Sequence, residues 1–244
     1  MALLSFENVS KSISDGSRSV PVLADVSFDI DPGEYVGLWG GRRSGKSTLL
    51  RLAYGVELPD AGRIAFDGED MTRMSVNERA HLRRRGGIAR ALADWSPTTR
   101  RRVVDHVALP LISCGLSFND AEVAARRTLR RVGAEEVQDW STDRLNLSER
   151  IRVELARALV RDPRLLLVDE PARLTSQSEA RELYALLRSL GRDRELTVVI
   201  ASEQSNALEG APRVLTIGNG RVRSSDSRRK VLPFRRAGAE PPGS

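Results

Sequence analysis

Cysteine is nearly absent: Cys114 is the single one in 244 residues. A lone cysteine excludes an intramolecular disulfide and a cysteine-cluster metal site. Lysine is scarce too, with only Lys11, Lys46 and Lys230, so the net charge of +6 is carried almost entirely by arginine. The arginines are scattered. Runs occur only at Arg83–Arg85, at Arg100–Arg102 and in the tail, so no basic face is built and no nucleic-acid partner is expected. No stretch approaches the ~20 apolar residues that cross a bilayer. The opening MALLSFENVS lacks a basic region followed by a long apolar core, so no signal peptide is expected. A cytosolic location is the default expectation. With 40% hydrophobic and 30% charged residues, the composition suits a soluble globular chain of one large α/β domain, with room for an inserted lobe.

The first third reads as β-rich. Leu3–Ser10 and Val22–Ile30 alternate apolar and polar residues, with a loop at Ser14–Ser19. A short strand is predicted at Arg63–Gly68. Ser75 with Glu78 makes a capping box opening a helix to about Arg84. Gly86–Leu92 reads as another strand. From about Val103 to Ala158 the pattern is helical. Asn119 with Glu122 reads as a second capping box, and Ser148 is placed to cap a helix through Ile151, Leu155 and Leu159. Strand and helix then alternate. Arg164–Glu170 is an apolar run of the kind buried on both faces of a parallel sheet. Ser176 with Glu179 caps the next helix, Leu196–Ala201 is a strand, and Arg213–Ser224 a terminal hairpin. The fold expected is α/β: a core with a mostly parallel sheet, an N-terminal antiparallel β-subdomain and an inserted helical lobe. The expected division is one nucleotide-binding domain over 1–224, its lobe at about 103–160, and a flexible basic tail over 225–244.

Two stretches carry chemistry. Gly40, Gly41, Arg42, Arg43, Ser44, Gly45, Lys46, Ser47 and Thr48 fit G-x-x-x-x-G-K-[ST], a phosphate-binding P-loop. Glycines let backbone N–H groups converge on an anion, and the following helix adds the positive end of its dipole. Lys46 is suited to the β- and γ-phosphates of ATP, and Ser47 to Mg²⁺. The context agrees, since Glu34–Trp39 reads as a buried strand entering the loop and Ser47–Gly55 as the helix leaving it. The second stretch is Asp169-Glu170 at the end of an apolar strand. Carboxyl ends of neighbouring parallel strands share one edge, so Asp169 is a candidate Mg²⁺ ligand and Glu170 a candidate general base.

Together these residues resemble the nucleotide-binding subunit of ABC transporters over about Leu3 to Arg223. Gly40–Thr48 resembles the Walker A motif, Leu165–Pro171 resembles Walker B with its catalytic glutamate, and Leu147–Pro171 resembles the signature helix and the segment after it. The wording of DVSFDIDPGE and SGKSTLLRLAYG is most similar to the subfamily serving lipoprotein release, macrolide export and cell division. The resemblance implies ATP and Mg²⁺ as cofactors, an integral membrane permease and a second ATP-binding subunit in a homo- or heterodimer as partners, and a cytoplasmic position at the inner face of the membrane. A nucleotide-dependent scaffold or regulator of a cell-envelope complex is the alternative.

The departures bear on catalysis. Where the family has Leu-Ser-Gly-Gly-Gln before Glu-Arg, here Leu147-Ser148 runs directly into Glu149-Arg150, and both glycines are gone. Ala93 aligns with the family's glutamine, Glu203 with its histidine, Ser176 with its aspartate, and Ile13 lies near the place of its adenine-stacking aromatic. One lost transition-state hydrogen bond costs on the order of 10²–10³ in rate. The expectation is ATP binding with weak or no hydrolysis.

Overall fold

The computed structural model describes residues 1–15, 18–92, 100–171, 176–192 and 195–226. The alternating N-terminal pattern becomes a long hairpin, β1 (Leu4–Asp15) and β2 (Arg18–Ile30). Both strands run further into the expected loop than the alternation indicates. With β4 (Ala61–Phe66) and the two-residue β5 (Glu69–Asp70) they form a four-stranded antiparallel sheet in the order β2-β1-β4-β5. Its inner face is Leu4, Phe6, Val26, Phe28, Ile64 and Phe66, and the rings of Phe6 and Phe28 stack with centroids 4.6 Å apart.

The second sheet has six strands in the order β10-β9-β3-β8-β7-β6. Here β3 is Tyr35–Trp39, β6 Ile88–Leu92, β7 Leu165–Asp169, β8 Thr197–Ser202, β9 Arg213–Gly218 and β10 Arg221–Asp226. All neighbours are parallel except β9 and β10, which form the expected terminal hairpin. Strand β10 continues through Asp226, taking up the first two residues of the expected tail. The rest of that tail, 227–244, lies outside the described residues. The apolar run of β7 is buried along Leu165–Val168, as a strand covered on both faces requires.

Helix α1 (Lys46–Ala53) follows β3, and α2 (Val76–Arg84) starts at the Ser75–Glu78 capping box, where both reciprocal bonds are present. Between β6 and β7 lie α3 (Val103–Ile112), α4 (Phe118–Arg131) and α5 (Leu147–Leu159), which make up the inserted helical lobe. Ala121, Ala125 and Leu129 of α4 pack with Val104 and Val107 of α3 and with Leu155 of α5. Helix α6 (Gln177–Leu190) joins β7 to β8 and starts at the Ser176–Glu179 capping box.

Two helix starts differ from the sequence reading. Helix α4 is capped by Ser117, whose hydroxyl accepts from the Asp120 N–H at 3.2 Å, and not by Asn119. Glu122 instead pairs with Arg126 one turn on, at 2.7 Å. Helix α5 is capped by Asn146 and not by Ser148. In both cases the chain offered two polar residues close together. The earlier one is in extended backbone geometry, which is what a capping side chain needs.

Candidate active site

The parallel register brings the chemistry to one edge. Leu38 of β3 and Asp169 of β7 both pair with Ala201 of the intervening β8. The loop leaving β3 therefore sits across β8 from the residues ending β7. That loop is Gly40–Gly45, and Gly40 has no room for a side chain: a Cβ there would lie 2.6 Å from the Ile217 Cγ2 and 2.7 Å from the Ile217 carbonyl oxygen. Gly45 caps α1 at φ +106°, a conformation that costs other residues energy. The glycines of the motif are thus fixed by backbone approach on one side and by backbone sign on the other.

Lys46 is buried. Its ammonium donates to the carbonyl oxygens of Gly40 at 2.7 Å and Gly41 at 3.0 Å, and lies 3.3 Å from Glu170 Oε1. The Ser44 hydroxyl oxygen is buried in the same loop without a hydrogen-bond partner. Arg42 and Arg43 are exposed at its rim.

Glu170 holds φ 45°, a left-handed backbone that costs a non-glycine residue about 1–3 kcal/mol. The twist turns its carboxylate back over β8. One oxygen accepts from the Glu203 N–H at 3.2 Å, and the other faces Lys46, near enough to pair but outside hydrogen-bond geometry. Burial pushes the Glu170 carboxyl above its ordinary value. The Glu203 N–H and Lys46 oppose that rise, and the Glu203 side-chain charge reinforces it. A carboxyl shifted this way is a better proton acceptor than a free glutamate.

Asp169 presents two oxygens in different surroundings. Oδ1 is buried without a hydrogen-bond partner. Oδ2 lies 3.3 Å from Arg90 Nη2 on β6. Sequence reading missed Arg90, although a charged residue inside the short strand Ile88–Leu92 was the available signal.

An open cleft of about 730 Å³ is lined by Ile13, Val20, Val22, the loop from Arg42 to Thr48, Glu170 and Glu203, whereas Asp169 is not among its lining residues and Arg90 lines a separate cavity with Tyr54 and Glu154. Of the candidate residues, Lys46, Ser47 and Glu170 line this one cleft together with Glu203. Ile13 and Val20 are exposed apolar side chains on one wall, so an aliphatic surface stands near the place of the expected aromatic. Ala93 lies outside the described residues.

The start of α5 is elsewhere, in the helical lobe. Glu149 Oε2 accepts from the Asn146 N–H at 2.8 Å, and Asn146 Oδ1 accepts from the Glu149 N–H at 2.9 Å. Glu149 is thus folded back as half of a capping box. Its carboxylate answers the positive end of the helix that the family resemblance assigns to phosphate recognition. The pattern Asn-x-x-Glu was legible, but Ser148 drew attention from it.

The profile of the ABC transporter family matches residues 23–173. The chain belongs to the ABC transporter family. It is an ATP-binding subunit of that family, and its fold is that of the family's ATPase cassettes. It is 36% identical over 211 residues to the cell division ATP-binding protein FtsE of Haemophilus influenzae, covering 86% of this chain and 94% of that one. It is 32% identical over 221 residues to the uncharacterized ABC transporter ATP-binding protein Rv0986 of Mycobacterium tuberculosis, covering 90% and 88%. Among solved structures, the dimeric ATP-binding cassette MJ0796 bound to ADP and Pi superposes with a TM-score of 0.82 at 24% identity, over 91% of this chain and 98% of that one. CbiO1 of Clostridium perfringens, part of the ABC transporter complex cbiONQ, has the same TM-score and identity over 93% and 89%. Among the described residues no helix is long and apolar enough to cross a membrane.

Proposed function

We propose that this subunit binds Mg-ATP in the Ile13–Glu203 cleft and hydrolyses it weakly or not at all on its own. The observation that carries the reading is the pairing of an intact loop with an altered surround. Lys46 and the loop from Arg42 to Thr48 line one cleft with Glu170, while Glu203 lines it beside Glu170 and Glu149 closes the N-terminus of α5.

In this reading the N–H groups of Ser44 to Thr48 and the Lys46 ammonium hold the β- and γ-phosphates. Lys46 exchanges its carbonyl partners, Gly40 and Gly41, for phosphate oxygens. Arg42 and Arg43 add positive charge at the rim. Ile13, Val20 and Val22 give the adenine an aliphatic wall. The oxygen donors fit Mg²⁺, since Ser47 supplies a hydroxyl and the buried Oδ1 of Asp169 lacks a partner. Bound there, Mg²⁺ would neutralise phosphate charge. Glu170 is the group suited to take a proton from an attacking water. Its neighbour Glu203 donates no side-chain proton to the γ-phosphate and adds negative charge to that wall.

Two cassettes of the family pair so that one subunit's loop meets the other's signature helix. At the α5 start of this chain the glycines are absent and Glu149 already satisfies the helix end, so a nucleotide on a partner subunit gains little from it. The subunit then works as the nucleotide-holding half of a homo- or heterodimer on an integral membrane permease, at the inner face of the membrane. FtsE is named for cell division, which favours as second reading a nucleotide-dependent scaffold or regulator of a cell-envelope complex.

The test is affinity purification of the tagged chain from its own cells, with and without Lys46→Ala. An integral membrane protein retained in a nucleotide-dependent way supports the transporter reading. A stable complex lacking one supports the scaffold. Loss of neither partner nor nucleotide in Lys46→Ala contradicts both.

A further inference from the structure

Arg90 is the one site feature that neither the motifs nor the family reading uses. It lies in β6, whose register sets Arg90 beside Leu167 and Leu92 beside Asp169. The Arg90 side chain is 16% exposed and that of Asp169 13%. Their closest approach, Nη2 to Oδ2, is 3.3 Å. Arg90 Nε is buried with no hydrogen-bond partner, as is Asp169 Oδ1. The guanidinium is thus held at the Asp169 carboxylate through a single hydrogen-bonded ion pair. A bidentate fork would have satisfied both ends.

A cation this close to a mostly buried carboxylate competes with a second cation for the same charge. The nucleotide cleft itself carries the fixed positive charges of Arg42 and Arg43. Glu170 and Glu203 line the same cleft, and Lys46 answers Glu170 at 3.3 Å. We infer that Arg90 stands as a built-in cation at Asp169, so that Mg²⁺, although Ser47 and Asp169 Oδ1 could receive it, adds little to this subunit's affinity for ATP. The inference rests on the nucleotide-binding reading above and concerns how that site is charged.

The experiment is calorimetric titration of the full chain with ATP, once in excess Mg²⁺ and once in excess EDTA, for the wild type, Arg90→Leu and Arg90→Lys. For the wild type the two affinities agree within about threefold, under 0.7 kcal/mol. Arg90→Leu frees Asp169, and the Mg²⁺ affinity then exceeds the EDTA affinity by about tenfold or more. Arg90→Lys keeps a cation and stays close to the wild type, which a purely structural role for the arginine would not produce. A wild-type ratio of about tenfold or more, or a ratio unchanged in a folded Arg90→Leu, overturns the inference while leaving ATP binding intact. If Arg90→Leu does not fold, the wild-type and Arg90→Lys ratios decide. No ATP binding in either condition overturns the nucleotide reading and the inference with it.

Discussion

Replacing Glu149 by alanine tests whether the start of α5 is closed upon itself. The substitution removes the acceptor 2.8 Å from the Asn146 N–H and a carboxylate from the first turn of a thirteen-residue helix. It leaves the Asn146 side chain with its own bond to residue 149, at 2.9 Å in the native chain. One lost cap bond and one lost charge–dipole contact on a partly exposed side chain together cost about 1 kcal/mol. For a domain of this size that lowers Tm by roughly 2–4 °C. Glu149→Gln keeps the reciprocal bond, because glutamine also serves in a capping box, and loses only the charge. Its Tm falls by about half as much. Differential scanning calorimetry on the purified chain reads both shifts. Neither variant restores the two absent glycines, so ATP turnover rises by less than about tenfold in either. A Glu149→Ala protein with unchanged Tm would refute the capping role. A Glu149→Gln protein with turnover raised about a hundredfold would show that the charge, and not the backbone, blocks the site.

Gly40→Ala drives a Cβ to 2.6 Å from both Ile217 Cγ2 and Ser44 Oγ. It costs about 1–3 kcal/mol, which thermal denaturation reads as a Tm loss of roughly 2–12 °C. Lys46→Ala removes the one ammonium aimed at the phosphates and lowers ATP affinity by about a hundredfold or more, measured by calorimetry. Any residual hydrolysis needs the Glu170 carboxylate. Because burial raises that group above its ordinary value, the rate falls as pH drops through a value higher than a free glutamate's, and Glu170→Gln shows a flat profile. The stability sign is the reverse. A raised carboxyl stabilises the fold below its unfolded value and loses that contribution as pH rises through the folded value, so Glu170→Gln gains Tm relative to the wild type from acid to neutral pH.

Much of this fold was written in local signals. The alternation of β1 and β2, the apolar run of β7 and the Ser75 and Ser176 capping boxes each depend on neighbours in sequence, and each stands where those neighbours put it. The loop from Gly40 to Thr48 was legible because backbone approach and φ sign restrict its residues. Caps with a rival nearby were less so. Asn146 and Ser117 win over Ser148 and Asn119 because tertiary packing fixes where each helix enters the core. Arg90 stood out only as a charge inside a short strand, and its partner was not legible. Its meeting with Asp169 depends on the pairing of β6 with β7 across 79 residues of chain, which no local pattern encodes. The turn of Glu170 toward Lys46 likewise comes from a backbone angle that its residue type does not announce.

The most direct test is steady-state ATP turnover of the purified chain beside Glu170→Gln, at an ATP concentration shown by calorimetry to saturate both. The account predicts that both bind ATP, that the wild type turns over far below about 1 s⁻¹, and that Glu170→Gln only lowers whatever residual rate the wild type shows. Turnover on the order of 1 s⁻¹ or more by the chain alone, abolished in Glu170→Gln, would contradict it.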